Sequence, residues 1–389
     1  MNTRKKKKVL FVVPSSKIGG TNVSLRNMLT LIDSSKYDIS IFFLNHDVHQ
    51  TIFGYPIIKN FILSLFSSAH TNILKKIMSL FVRGVGRIFR RVNIDLYAHA
   101  LNHAKKSLSN YLFDVVVAYQ EGLATSFSLG VSGVKHIAWI HCEYDRFVTL
   151  VDKSEQDRLY LQYDNIVCVS NYACNVMKEM LPQASLKIHS IPNMIDSNNI
   201  LNLARQRVIF NDDDKIFRIV SIGRIDEIKR FSKIPCILHQ IQQFKCSKVV
   251  HWYLIGGVRD YSEWNALEDN LKKYNVRECF QYLGEQDNPY PYLKQADLLV
   301  SLSPSETFSY VINESLVLGT PVVATPFGCI SEFVTNDVNG RIAEIDKIAE
   351  SIVALINDSQ EYNKIRSNNI EFKYNNALSL HSLYQILDN

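Results

Sequence analysis

No apolar run in the 389 residues is long enough to span a bilayer, so nothing in the chain is expected to cross a membrane. Paired cysteines are missing as well. The seven present, at 142, 168, 174, 236, 246, 279 and 329, are odd in number, scattered and without a C-x-x-C pair. Disulfides and metal ligation are therefore not expected, and most of these side chains should be small buried hydrophobes. No internal repeat, low-complexity tract or long linker is visible. A secretory leader is not expected either: the basic start Arg4-Lys5-Lys6-Lys7-Lys8 meets Val9-Leu10-Phe11-Val12-Val13-Pro14, an apolar run too short for a leader and suited to a first buried strand. The chain is expected to stay in the cytoplasm. The excess of one charge sign over the other is small, and a formal net charge of +5 does not imply nucleic acid as a partner.

What is present is a folded composition, with 47% hydrophobic and 21% charged residues, over a length that suits two domains. Short runs rich in β-branched residues alternate with polar or glycine turns and helical patterns. The expected strands are Lys8–Val13, Ile39–Leu44, Asp114–Ala118, Lys135–Ile140, Asn165–Val169 and Lys187–Ile191. After Asn211-Asp212-Asp213-Asp214-Lys215 the pattern restarts with Phe217–Ile222, Val249–Ile255, Cys279–Leu283, Leu298–Ser301, Pro321–Ala324 and a short Arg341–Ala343. Helical patterns such as Thr21–Ile32, Ser262–Lys273 and Tyr310–Leu318 lie between them. Such alternation makes parallel sheets covered by helices on both faces. The expected fold is α/β, with two doubly wound, Rossmann-like domains facing a central cleft. The boundaries expected are 1–195 for the first domain, 196–215 for a linker, 216–372 for the second, and 373–389 for a helix returning to the first.

Three stretches carry chemistry. Pro14-Ser15-Ser16-Lys17-Ile18-Gly19-Gly20-Thr21 follows the first strand and opens a helix, where adjacent glycines let backbone amides approach an anion. A tight turn needing glycine for its geometry explains that loop equally well. It is not G-x-G-x-x-G, and no acid stands at the end of strand two, so a dinucleotide site is poorly supported. Second, Gly223-Arg224-Ile225-Asp226-Glu227-Ile228-Lys229 follows the first strand of the second domain. A guanidinium and an ammonium so placed can converge on a diphosphate, one as a bidentate fork and the other as a point charge. Third, Glu306 and Glu314 stand eight apart in Ser303-Pro304-Ser305-Glu306-Thr307-Phe308-Ser309-Tyr310-Val311-Ile312-Asn313-Glu314. Glu306 is expected in a loop and Glu314 about two turns inside a helix, where they can hold different hydroxyls of a sugar nucleotide. An isolated spacing of this kind would be two helix-surface acids; the surrounding pattern decides.

Glu306-x7-Glu314, the following Gly319-Thr320-Pro321-Val322-Val323-Ala324-Thr325, the upstream Gly223-Arg224…Lys229 and the early Gly19-Gly20 together resemble the retaining glycosyltransferases of family 4, which have the GT-B fold. Val169-Ser170-Asn171 and Ile191-Pro192-Asn193-Met194-Ile195-Asp196 reinforce the likeness, which runs in order through nearly the whole chain. The resemblance implies that Arg224 and Lys229 neutralise the donor diphosphate and that Gly20 lends a backbone amide. It implies that Glu306 holds donor-sugar hydroxyls, that Glu314 holds the ribose diol, and that backbone near Gly284-Glu285 touches the nucleobase. His141, after a strand of the first domain, matches the family's histidine near the reacting centre. The loop after the first glutamate departs from the family: glycines give way to Thr307-Phe308-Ser309-Tyr310, whose amides at Phe308, Ser309 and Tyr310 are still expected at the phosphate.

The implied reaction is retaining transfer of a sugar from a nucleotide-diphosphate sugar to a hydroxyl of a growing lipid-linked or cell-surface glycan. Closure of the lobes would exclude water. No D-x-D-like pair follows a strand, so neither a metal nor another cofactor is expected. An epimerase or a phosphorylase could share the fold, but no extra acid–base set or pyridoxal-binding lysine motif is found. A non-catalytic nucleotide-sugar binding protein is the remaining alternative, against which the intact Arg224, Lys229, Glu306 and Glu314 speak. One more absence is local: between Tyr55 and Ile94 there is no Asp or Glu, but there are seven Lys or Arg. On a helical wheel Leu74, Ile77, Met78, Phe81, Val85, Ile88, Phe89 and Val92 share one arc, opposed by Lys75, Lys76, Arg83, Arg87, Arg90 and Arg91. That pattern suits an interfacial helix on an anionic leaflet, and it places the protein peripherally on the cytoplasmic face of the membrane. A helix packed on the first sheet, with its basic side in water, is the rival reading.

Overall fold

The computed structural model describes residues 5–15, 19–45, 54–66, 77–80, 82, 95–206, 210 and 215–389. It divides into two compact units, Met1–Met194 with Asn376–Asn389, and Ile195–Asn375.

The first unit holds strands β1 (Lys7–Ser15), β2 (Tyr37–Asn45), β3 (Phe113–Ala118), β4 (Gly133–Ile140), β5 (Asn165–Cys168) and β6 (Ile188–Ser190). They form one parallel sheet in the order β2-β1-β3-β4-β5-β6. Val9 to Val13 of β1 are all buried to within 1%. A strand covered on both faces reads as a continuous apolar run for this reason. Helix Ala377–Asp388 is fastened to this sheet by side chains from its lower edge. Lys7 Nζ donates to Leu387 O (2.8 Å) and Asp388 O (2.7 Å), and Lys135 Nζ to Ile386 O (2.6 Å). Ammonium groups there satisfy carbonyls that a helix end leaves without partners and oppose its negative pole. The Tyr37 and Tyr384 rings stack at 6.0 Å, and Tyr37 Oη donates to Asp388 Oδ1 at 2.9 Å.

The second unit holds β7 (Ile216–Ile222), β8 (Val249–Ile255), β9 (Phe280–Gly284), β10 (Leu298–Ser301), β11 (Val322–Ala324) and β12 (Gly340–Ile342). Its sheet is also parallel, in the order β12-β11-β10-β7-β8-β9. The stretch 196–215, read above as a linker, carries helix Ser197–Leu203, capped by Asp196 and included in this unit. Asn288 Nδ2 anchors its end, donating to Leu203 O (3.0 Å) and Gln206 Oε1 (2.9 Å).

Candidate functional site

In the second sheet, strand order reverses between β7 and β10, and the crevice past their carboxyl ends is where open α/β sheets take ligands. Pairing between these strands is brief, Leu298 with Ile219 and Leu299 with Val220. One step further, the buried Ser221 Oγ donates to Val300 O (2.6 Å) and accepts from Trp252 Nε1 (3.1 Å). This keeps the strand ends together where backbone pairing stops.

From β7 the chain enters Gly223-Arg224 and then a tight turn, Glu227–Lys229, whose Lys229 N–H is accepted by Asp226 Oδ1 at 3.2 Å. A side chain at Gly223 would stand 3.3 Å from Lys229 Cε, so the lysine stem lies across the glycine. From β10 the chain enters the loop that carries Glu306. Thr325 Oγ1 braces this loop by donating to Ser303 O (2.7 Å), and Cys329 Sγ does so by donating to Glu306 O (2.9 Å). Lys229 and Glu306 then form an ion pair across the strand-order reversal. Their side chains are only 18% and 17% exposed, whereas that of Arg224 is 63% exposed and lies 3.4 Å from Asp226 Oδ2.

Ser309 has an extended backbone (φ −95°, ψ 102°), so the next helix starts at Tyr310 and runs to Val317. Glu314 therefore sits about one turn into the helix, not the two expected from the sequence. Tyr290 Oη donates to Glu314 Oε1 at 3.1 Å. In place of the family's glycines, Phe308 packs its ring against Tyr310 (5.0 Å) and Phe333 (5.1 Å). Aromatic packing thus fixes the backbone of residues 308–310.

A third wall follows β8 and β9. Gly256 N–H donates to Gly284 O, and Gly223 N–H to Ile255 O, each at 2.9 Å. Gly256 has φ +146°, and a Cβ there would fall 1.7 Å from Gly223 O, so no other residue fits without moving the backbone. Glu285 stands over Gly257 and lies 3.9 Å from Arg259 Nη2, both side chains being exposed. Gly223, Arg224, Lys229, Glu306, Glu314, Gly284, Glu285 and residues 308–310 thus all belong to the second unit.

The first unit places Gly19 as the residue before helix Gly20–Leu31, and a Cβ at either Gly19 or Gly20 would meet nothing within 4 Å. His141 follows β4 directly. Its ring packs on Tyr119 (4.9 Å), its buried Nε2 has no hydrogen-bond partner among the described residues, and burial pushes its pKa down to about 3. A neutral imidazole at ordinary pH results. Glu121, past the end of β3, accepts the His141 N–H at Oε2 (3.0 Å) and a bond from the Cys142 thiol; burial raises its pKa. Tyr119 Oη bonds Ser24 Oγ (2.7 Å), which donates to Asn193 Oδ1 (2.5 Å). Lys75, Lys76, Arg83, Arg87, Arg90 and Arg91 lie outside the described residues.

Asp226, Tyr290 and Glu121 were not singled out from sequence. Glu121 and Asp226 carried a usable signal, since each follows closely on a strand end, as His141 does. Tyr290 carried none, because its partner is 24 residues away on another helix.

Two parallel sheets in these orders define the class. A solved structure of Anabaena HepE in complex with UDP and glucose matches with a TM-score of 0.71, over 98% of this chain and 100% of that one, at 17% identity. The fold is GT-B. Residues 216–358 match the family described as Glycosyl transferases group 1. The Escherichia coli O-antigen biosynthesis glycosyltransferase WclY is 24% identical over 383 residues, 95% of this chain and 97% of that protein. The Bacillus anthracis N-acetyl-alpha-D-glucosaminyl L-malate synthase is 24% identical over 207 residues, 51% of this chain, and the match spans about half (52%) of that relative's length.

Proposed function

We propose that this protein transfers a sugar from a nucleotide-diphosphate sugar to a hydroxyl of a growing lipid-linked or cell-surface glycan, with retention of anomeric configuration. The observation that carries the proposal is the ion pair of Lys229 and Glu306 across the strand-order reversal. Arg224 precedes Lys229 by five residues in the loop after β7, and Glu314 lies about one turn into the helix that follows Glu306. Arg224 and Lys229 take the diphosphate, so that negative charge growing on the leaving group meets preorganised donors. Glu306 accepts hydrogen bonds from sugar hydroxyls, and Glu314 from the ribose. His141, held neutral, offers a hydrogen bond without adding charge. The bond between the anomeric carbon and the phosphate oxygen breaks, the acceptor oxygen bonds that carbon from the same face, and its proton passes to the departing phosphate. No metal has a role in this reading, and activity is expected to persist in a chelator. The complex of HepE with UDP and the O-antigen role in the name of WclY support the donor and acceptor classes.

The protein acts at the cytoplasmic face of a membrane. Residues 77–80 are helical, with Ile77, Met78 and Leu80 at 58%, 42% and 58% exposure, while Ser79 is buried. Apolar residues outward and a serine inward suit a lipid-facing surface, in a stretch rich in Lys and Arg and free of acids. Among the described residues no helix is long and apolar enough to cross a membrane.

A screen of nucleotide sugars for donor hydrolysis and thermal stabilisation tests the reaction. One donor is expected to stabilise the protein and be turned over; no response to any would reject the reading. Co-sedimentation with vesicles tests the surface: binding should rise with anionic lipid and fall with salt, and equal failure on neutral and anionic vesicles would reject it.

A further inference from the structure

We propose that the Lys229–Glu306 ion pair is exchanged on binding, so that the site holds an intact sugar nucleotide in preference to the nucleoside diphosphate left after transfer. The inference rests on the donor site proposed above. Both groups are largely withdrawn from water, and breaking such a pair strands a charge unless a new partner replaces the old one. A diphosphate bound to Lys229 competes with Glu306 for the ammonium. With an intact donor, sugar hydroxyls lie beside the diphosphate and give the displaced carboxylate new hydrogen bonds. With the nucleoside diphosphate alone, Glu306 loses its cation and gains nothing. Arg224 does not share this constraint, being exposed and beside Asp226 at 3.4 Å. The pair therefore ties recognition of the sugar to retention of the diphosphate, and removal of the sugar promotes release.

Calorimetry with uridine, guanosine, cytidine and thymidine diphosphates first identifies the one that the wild type binds; its sugar nucleotides are then titrated alongside it. Glu306→Gln should bind the diphosphate at least about threefold more tightly than the wild type, while the preference for the sugar nucleotide shrinks by more than that factor. The tightening should be smaller in a Lys229→Ala background, where there is no pair to break. Glu306→Ala serves as a second neutral variant with the same expected sign, and thermal midpoints establish that each protein is folded. Unchanged or weaker diphosphate binding in both variants would overturn the proposal, since Glu306 would then only position Lys229. Equal tightening in the Lys229→Ala background would overturn it in favour of direct repulsion. Either result with diphosphate binding weakened by Arg224→Ala leaves the donor site standing. No effect of Arg224→Ala and Lys229→Ala, or no binding of any of the four, would remove the donor site itself.

Discussion

The two units share a parallel six-stranded plan and differ in what they place past the strand ends. In the second, the reversal of strand order lies between β7 and β10, and the loops there present charge: Arg224, Asp226, Lys229 and Glu306. In the first, the corresponding reversal lies between β1 and β3, and the groups near it are buried and hydrogen-bonded, as in the Tyr119–Ser24–Asn193 chain. His141 is neutral there, and Glu121 is pushed towards its protonated form by burial. The difference teaches that a shared topology fixes where a site lies, while local burial fixes which chemistry the site can do. The groups past the strand ends of the second unit are charged; those of the first are buried and hydrogen-bonded.

The comparison breaks most readily at the carboxylates. Glu306→Gln and Glu314→Gln should each lower turnover by about a hundredfold or more, in line with loss of a transition-state hydrogen bond worth roughly 2.7 kcal/mol. Initial rates under saturating donor would check this; either variant within about threefold of wild type would remove that residue from the mechanism. Gly256→Ala should cost about 3 kcal/mol or more of stability in the second unit, since its Cβ collides with backbone. Gly20→Ala in the first unit should change stability by less than about 0.5 kcal/mol, because the space beside it is open. Denaturant midpoints of the two variants compare the units directly.

Next in size, Arg224→Ala and Lys229→Ala should each weaken nucleoside diphosphate binding by about 1.5–3 kcal/mol, the range for hydrogen bonds to charged groups. Calorimetry that finds no change in either would place the phosphate elsewhere. A further effect concerns acid stability of the first unit. The His141 pKa is held at about 3 in the fold against an ordinary 6.5, so the unfolded chain takes up a proton that the fold refuses. Stability from this residue is complete above about pH 6.5 and falls as pH drops towards 3. Glu121, with its pKa raised, acts in the opposite sense, losing stability as pH rises through its folded value. His141→Gln should therefore flatten the fall of the thermal midpoint between pH 6.5 and 5, by a few degrees where about 1 kcal/mol corresponds to 2–4 °C. An unaltered slope would mean that the ring is not shielded from water.

The sheets were readable from sequence because buried parallel strands write themselves as apolar runs. Each of the twelve runs expected to be strands has a strand within two residues of its expected ends. The helix at Ser197–Leu203 was not readable: it is seven residues long, with three asparagines and three apolar residues at uneven spacing. That the candidate site residues follow strand ends was readable from sequence, and their pairings were not. Lys229 and Glu306 are 77 residues apart and meet only because β7 and β10 are neighbours. Strand order is set by packing of the whole sheet, which no local pattern records. The same holds for Phe308, whose packing against Phe333 replaces glycine as the device that shapes the loop.

The fastening of helix Ala377–Asp388 to the first sheet has a consequence for synthesis. Lys7, Tyr37 and Lys135 leave the ribosome early, while the carbonyls and the ring they bind are made only after all of Ile195–Asn375. The first unit is thus assembled from segments on either side of the second in the chain. A ribosome stalled before residue 376 holds a first sheet whose lower edge still shows three unsatisfied partners, with the second unit already translated.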